Sequence, residues 1–311
     1  QGHGLGSFEA HYMDYQANFF KQCGQSRFSM LADNVKQPFN EYLGLLLNFG
    51  IIGLLVLLLL MVIIIYCYRK NPSVEKQIAF YSLSSIGIFS FFSYPFAYPF
   101  VWVVTFLSIF IITSEYIKPL FSNILIKKIA CMFILTYSLF GSSKLFERIQ
   151  AELDWGKAST LALCKSYNET LPTYERLEKM FVSNPYFLYN YAAVLQEMKQ
   201  YTESLEVALK CRQYWADYDL ELIIGENYQQ LNKPELAEKY YNSASMMCPS
   251  RFLPLYKLFH LYKTNGEKER SLAMAEAVIS KPMKIKTTTI RMMKREMERE
   301  IQKMNMSIKL E

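Results

Sequence analysis

The sequence predicts an all-α protein: polytopic membrane helices followed by an α-solenoid of paired helices. Two observations carry that prediction. Apolar runs almost without charge fill Leu43 to Phe146, whereas most charged residues fall between Glu147 and Glu311. Within that second half, small residues recur at a constant interval. The mean hydropathy of +0.04 therefore averages two unlike halves.

The first run, about 43–66, has no charge between Leu43 and Ile65, which is enough chain to cross a hydrocarbon core of about 30 Å. Gly44, Gly50 and Gly53 lie inside it and allow close helix contact; Asn48 is its one strongly polar side chain. Further runs at about 77–93, 100–114 and 129–143 predict three more spans, the last two short enough to rely on tilt and aromatic anchors. The expected division is thus 1–42 as the end of an extracytoplasmic loop, 43–146 as a four-span membrane domain, and 147–311 as a repeat domain.

Orientation follows from the loops. Arg69, Lys70 and Lys76 separate the first two spans, and Lys118, Lys127 and Lys128 the last two, while Pro95 to Pro99 has no basic residue. The positive-inside bias then puts both basic loops in the cytoplasm, and residues 1–42 and the repeats outside. In a bacterium with two membranes, that predicts an inner-membrane protein with both segments in the periplasm.

The repeat signal is a spacing. Ser204, Ala237 and Ser271 recur every 33 to 34 residues, and Cys211, Ala244 and Val278 follow each by one helical repeat of seven. Asn232 and Gly266 mark inter-helix turns at the same period. Gly225, Tyr228, Ala237, Tyr241, Ala244 and Pro249 match the tetratricopeptide pattern, in which small residues bring two helices together and aromatics fill the gap to the next pair. Repeats are expected at about 185–216, 217–250 and 251–282, after a degenerate repeat or cap around Trp155 to Met180. A capping helix at 284–305 carries Ile290, Met293, Met297 and Ile301 at helical spacing. Such arrays present a groove to a protein partner and rarely perform chemistry.

Other features mostly exclude. The net charge of +6 is spread among acidic residues rather than gathered on a basic arm, which argues against nucleic acid and suits an anionic lipid or pyrophosphate. The six cysteines form no C-x-x-C pair, and the expectation is buried, free thiols with no zinc. Gly2-His3-Gly4-Leu5-Gly6 has no preceding strand and no βαβ unit, so it is no dinucleotide fingerprint. A turn before a helix, with Ser7 as N-cap, is the expected form. Phe8 to Phe20, rich in aromatics and carrying His11, Asp14 and Gln16, is expected to lie near the headgroup layer. The abrupt Gly-rich start, without a basic n-region or cleavage site, suggests a later part of a longer chain.

Taken in succession, Gly2 to Phe8, Asn40-Glu41-Tyr42-Leu43 and Asn48-Phe49-Gly50-Ile51-Ile52-Gly53 resemble the O-antigen ligase and polymerase superfamily. The resemblance covers about Gly2 to Phe140. With the repeats it is similar to a subtype of Bacteroidetes-type bacteria in which tetratricopeptide repeats follow the ligase domain. It implies a metal-independent, cofactor-free, inverting glycosyltransferase. Glycan would pass from undecaprenyl pyrophosphate to a lipid or protein acceptor; polymerase, protein O-glycosyltransferase and membrane-anchored scaffold stand as alternatives.

The family's His falls at Phe39, whose ring neither takes a proton nor bonds a phosphate. The resemblance then leaves Glu41, His3 and His11 as the groups for the catalytic proton, and Arg27, Lys36 and Asn40 for the substrate. Each has a plainer reading beside it. Asn40 either contacts the carrier or caps the helix, and Glu41 is either a base or a first-turn carboxylate favoured by the helix dipole. Arg27 and Lys36 either meet pyrophosphate or are solvated, and His3 and His11 are either proton acceptors or structural.

Overall fold

The computed structural model describes residues 2–24, 26–117 and 124–308; Lys118, part of the second basic loop, lies outside them. The described residues are all-helical and divide into two compact units, 1–8 with 36–152, and 9–35 with 153–311. The segment 9–35 thus belongs with the repeats, whereas the sequence places all of 1–42 in one loop.

In the first unit, α2 runs Glu41–Lys70 and α3 Val74–Phe89. A 3₁₀ turn at Pro95–Ala97 leads into α4, Pro99–Ile117, and α5 begins at Ile124. Among the described residues three helical stretches are long and apolar enough to cross a membrane: Glu41–Lys70, Pro99–Tyr116 and Lys127–Leu163. The second predicted span differs. Its helix α3 has 16 residues, about 24 Å at ~1.5 Å per residue, because Ser90 to Tyr94 turn away before the apolar run is used up.

At one end of this unit, Cys67, Ala79 and Ile112 bring α2, α3 and α4 together, and Tyr68 stacks on Phe80 at 4.5 Å. Buried Lys76 is neutralised there by Glu115 at 3.0 Å and donates to the Asn71 carbonyl, also at 3.0 Å. A buried ammonium needs that pairing.

Helix α2 is not continuous. Gly50 has φ 67° and ψ −162°, a conformation essentially reserved for glycine. The break takes the Leu47 and Asn48 carbonyls out of the helical ladder, and backbone acceptors in apolar surroundings require new donors. The His3 and Gly4 N–H groups supply them, each at 2.9 Å, and the Ser7 hydroxyl donates to Asn48 Oδ1 at 3.0 Å. Gly2 has to be glycine here, since a Cβ would stand 2.4 Å from the Asn48 carbonyl oxygen.

In the second unit, α1 (Ser7–Cys23) lies almost wholly in segment 9–35, and α5 ends at Leu163. Then come α6 (Tyr167–Leu177), α7 (Pro185–Glu197), α8 (Tyr201–Arg212), α9 (Tyr218–Gln230), α10 (Pro234–Met247), α11 (Leu253–Thr264), α12 (Lys268–Ser280) and α13 (Thr288–Ile308). The pairs α7/α8, α9/α10 and α11/α12 are antiparallel hairpins, which makes this part tetratricopeptide-like.

The period is written in burial. Ser204, Ala237 and Ser271 are each 0% exposed, as are Cys211, Ala244 and Val278. Small side chains at those points let the paired helices touch. Ser204 donates to the Ala192 carbonyl at 2.7 Å, and Gly225 faces the Tyr241 ring so closely that a Cβ would fall 2.6 Å from it. Positive φ recurs with the same period at Lys165 (63°), Lys199 (61°), Asn232 (55°) and Gly266 (78°). The hairpin from the end of α5 into α6 therefore turns like the three that follow. Trp155, Tyr174, Phe181 and Phe187 form its aromatic core, with Phe181 stacked on Phe187 at 4.9 Å. At the far end Met297 of α13 is buried against Ala275 and Val278, with Ile290, Met293 and Ile301 around it.

Three substitutions test these backbone assignments. Gly50→Ala should cost about 1–3 kcal/mol in denaturation of the detergent-solubilised chain. Gly141→Ala, where a Cβ meets nothing within 4 Å, should be neutral or slightly stabilising. Lys199→Gly should raise stability by about 0.5–1 kcal/mol, the ~1–2 kcal/mol strain of a non-glycine residue at positive φ less the ~0.5–1 kcal/mol of extra backbone entropy that glycine loses.

Candidate functional site

Of the six residues the sequence nominates, His3, Lys36, Asn40 and Glu41 fall in the first unit, His11 and Arg27 in the second. In the first unit the junction Pro38 to Leu43 is held to the turn between α3 and α4. Asn40 is the N-cap of α2: its Oδ1 accepts from the Leu43 N–H at 2.9 Å, while its Nδ2 donates to the Phe91 carbonyl at 3.0 Å. The Glu41 N–H donates to the Ser90 carbonyl at 2.9 Å, and Glu41 Oε1 accepts from the Phe96 N–H at 3.0 Å. The capping reading of Asn40 is therefore realised, and one Glu41 oxygen is engaged by backbone.

Aromatic contacts complete the clasp. Tyr42 donates to the Gly87 carbonyl at 2.8 Å and packs on Phe91 at 4.4 Å. Phe39, 65% exposed, meets the Tyr94 ring edge to face at 5.5 Å. A ring at this position adds to packing and brings no proton chemistry. His3 and Lys36 are exposed side chains of the same unit.

In the second unit His11 and Arg27 are exposed, Arg27 with its guanidinium 4.8 Å from the centre of the Phe28 ring. Their segment is docked on the repeats rather than left at the surface. Met13, 1% exposed, enters a core with Ala216, Tyr218, Leu222, Ala237 and Tyr241. The Ala216 N–H donates to the Glu9 carbonyl at 2.9 Å, and Gln16 Nε2 donates to the Met247 carbonyl at 2.6 Å.

Charge closes the contact. Arg212 bridges Asp14 and the buried Glu221. Burial raises the Glu221 carboxyl, and Arg212 works against that rise. For Arg212, burial alone would lower the guanidinium, but Glu221 and Asp14 outweigh it and raise it. Asp33 pairs with Arg251 at 2.7 Å and with Lys284 at 3.5 Å, and Asn34 Nδ2 donates to Asp217 Oδ2 at 2.7 Å. Burial tends to raise the Asp33 carboxyl, but the Arg251 hydrogen bond and the two cations hold it below the ordinary carboxylate value.

Sequence reasoning missed Met13, Asp33, Arg212, Glu221 and Arg251. One signal was present: Asp217, Arg251 and Lys284 are separated by the repeat interval, so equivalent points of successive repeats carry polar side chains. Of the six free cysteines, Cys67, Cys211 and Cys248 are buried but Cys23, Cys131 and Cys164 are exposed, against the expectation that all are buried. Burial pushes the Cys211 and Cys248 thiols up to about 12, leaving both inert. Among the described residues no group of three or more His, Cys, Asp or Glu could hold a metal ion.

No protein-family model matches this chain, and no curated protein matches it. Solved structures similar to it include YrrB, a tetratricopeptide protein with an unusual peptide-binding site. That likeness has 18% identity and a TM-score of 0.37, covering 41% of this chain and 66% of that one. A MamA structure from Desulfovibrio magneticus RS-1 has 18% identity and a TM-score of 0.39, covering 47% and 76%. A further MamA structure has 13% identity and a TM-score of 0.40, covering 50% and 89%.

The Arg212 bridge can be taken apart. Arg212→Met leaves Glu221 buried without its cation and should cost about 3–5 kcal/mol in chemical denaturation. Asp14→Asn removes only the partly exposed partner and should cost about 0–1 kcal/mol.

Proposed function

We propose that this chain is part of a membrane glycosyltransferase of the O-antigen ligase type, working at the periplasmic face of a bacterial inner membrane. One observation carries the reading. Two of the motifs on which the family resemblance rests, Gly2 to Phe8 and Asn48 to Gly53, are bonded to each other through His3, Gly4 and Ser7. Segments far apart in sequence that close on a broken apolar helix suit a binding site at a discontinuous membrane helix. Exposed Leu55, Phe106 and Leu135 on α2, α4 and α5 support a lipid environment. With α3 counted as a crossing, its end returning to the start of α2 at the Tyr42–Gly87 bond, the basic residues Arg69, Lys70 and Lys76 support a cytoplasmic loop there, with 1–42 and the repeats outside.

In this reading the hydroxyl of a lipid or protein acceptor attacks the anomeric carbon of a glycan carried on undecaprenyl pyrophosphate. The new carbon–oxygen bond forms as the sugar–phosphate bond breaks, with inversion, and the electron pair leaves on the pyrophosphate. The hydroxyl proton passes to Glu41 through Oε2, with His3 as the second group assigned to that task. The Lys36 ammonium stabilises the leaving charge. The repeat array offers its groove to a protein partner. O-antigen polymerase and protein O-glycosyltransferase share this chemistry and differ in the acceptor.

A second reading is a membrane-anchored scaffold. It is favoured by Phe39 and by the structural engagement of Asn40 and Glu41. The two separate in complementation of the intact gene by Glu41→Gln, which keeps an oxygen for the Phe96 N–H, and by Lys36→Ala. The transferase reading expects glycan attachment to fall about 10²-fold or more in Glu41→Gln, with unattached carrier-linked glycan accumulating. Full attachment in both variants would sink it. Glycan chain length and the nature of the acceptor then divide ligase, polymerase and protein O-glycosyltransferase.

A further inference from the structure

The segment Glu9 to Val35 is placed unlike the chain on either side of it. Gly2 to Phe8 and the residues from Lys36 onward belong to the first unit, but 9–35 makes its contacts with the repeats. Apart from Arg212 at the end of α8 and the core that receives Met13, its polar contacts fall on one kind of place. Ala216 and Asp217 lie between α8 and α9, Met247 and Arg251 at the passage from α10 to α11, and Lys284 between α12 and α13. The first two are passages from the second helix of one hairpin to the first helix of the next, and the third leads from the last hairpin into α13. A solenoid repeats such passages along one edge, and Asp217, Arg251 and Lys284 stand at equivalent points of that edge.

What lies on this edge is chemically matched to it. Helix α1 presents Met13 to the apolar core and Asp14 to Arg212. The extended stretch after it presents Asp33 to Arg251 and Lys284, and Asn34 to Asp217. Its side chains are read by successive repeats, as solenoids read an extended ligand.

We propose that the edge formed by these inter-hairpin passages is a recognition site for a helix that presents a Met-Asp pair, followed by an Asp-Asn pair. It is occupied in cis by Glu9 to Val35. The array is then a clamp on the chain's own loop, and a protein partner in trans is left the remaining surfaces. The two ends of the clamped segment are the residues that lead to Gly2–Phe8 and to Lys36–Leu43, so docking limits the freedom of both motif segments by connectivity alone. The inference is independent of the reaction proposed above, since contacts within the second unit carry it.

Amide hydrogen exchange on the full chain in detergent micelles tests it. Arg251→Asp and Asp33→Arg, made singly, should each speed exchange of the Met13 to Phe20 amides about fivefold, a partly exposed ion pair being worth up to ~1 kcal/mol. The amides of α9 and α10 should keep their protection. The double exchange Asp33→Arg with Arg251→Asp should restore protection to α1. Unchanged exchange in the single variants, or failure of the double variant to restore it, overturns the clamp. So does parallel loss of protection in α9 and α10, which would make the segment an integral layer of the array and not a ligand of it.

Discussion

A peptide carbonyl inside an apolar run must find a donor, and α2 breaks its own ladder at Gly50. The path of Gly2 to Ser7 follows from that break. The Leu47 and Asn48 carbonyls fix where His3 and Gly4 run, and the close approach leaves no room for a Cβ on Gly2. The glycine-rich start is thus a row of donors shaped to one acceptor site, with Ser7, the first residue of α1, adding a side-chain bond to Asn48. A helix continuous through Gly50 would offer those N–H groups no such acceptors.

The repeat unit rests on a different constraint, contact between helices through small residues. Fully buried Ser204, Ala237 and Ser271 and the positive-φ turns at Lys165, Lys199, Asn232 and Gly266 set a uniform hairpin. Uniformity at the hairpins makes the edge between them uniform too. The segment 9–35 uses that regularity: one irregular stretch of chain meets the same kind of passage in successive repeats.

At the junction before α2, residues with chemical potential also have structural employment. Asn40 caps the helix and ties it to Phe91, and Glu41 holds the Phe96 N–H with one oxygen. A carboxylate fixed by one backbone bond is oriented by it, so structural employment and chemistry at Glu41 are compatible. Phe39 contributes an edge-to-face contact with Tyr94 in place of a titratable ring.

The all-helical class, the tetratricopeptide-like hairpins and the apolar character of α2, α4 and the start of α5 were legible in the sequence. Hydropathy and a 33-to-34-residue spacing are local properties of the chain, and helix formation and hairpin closure obey local rules. Only the tertiary structure decided that α3 stops at Phe89, that Lys199 adopts the same turn as Gly266, and that Asn40 caps rather than waits. It also decided that Met13 is core and that Asp14 meets Arg212 across 198 positions. An amphipathic helix rich in aromatics suits a headgroup layer or a protein surface equally well. Its partner is chosen by which buried surface and which charges the fold brings to it, and no local pattern records that choice.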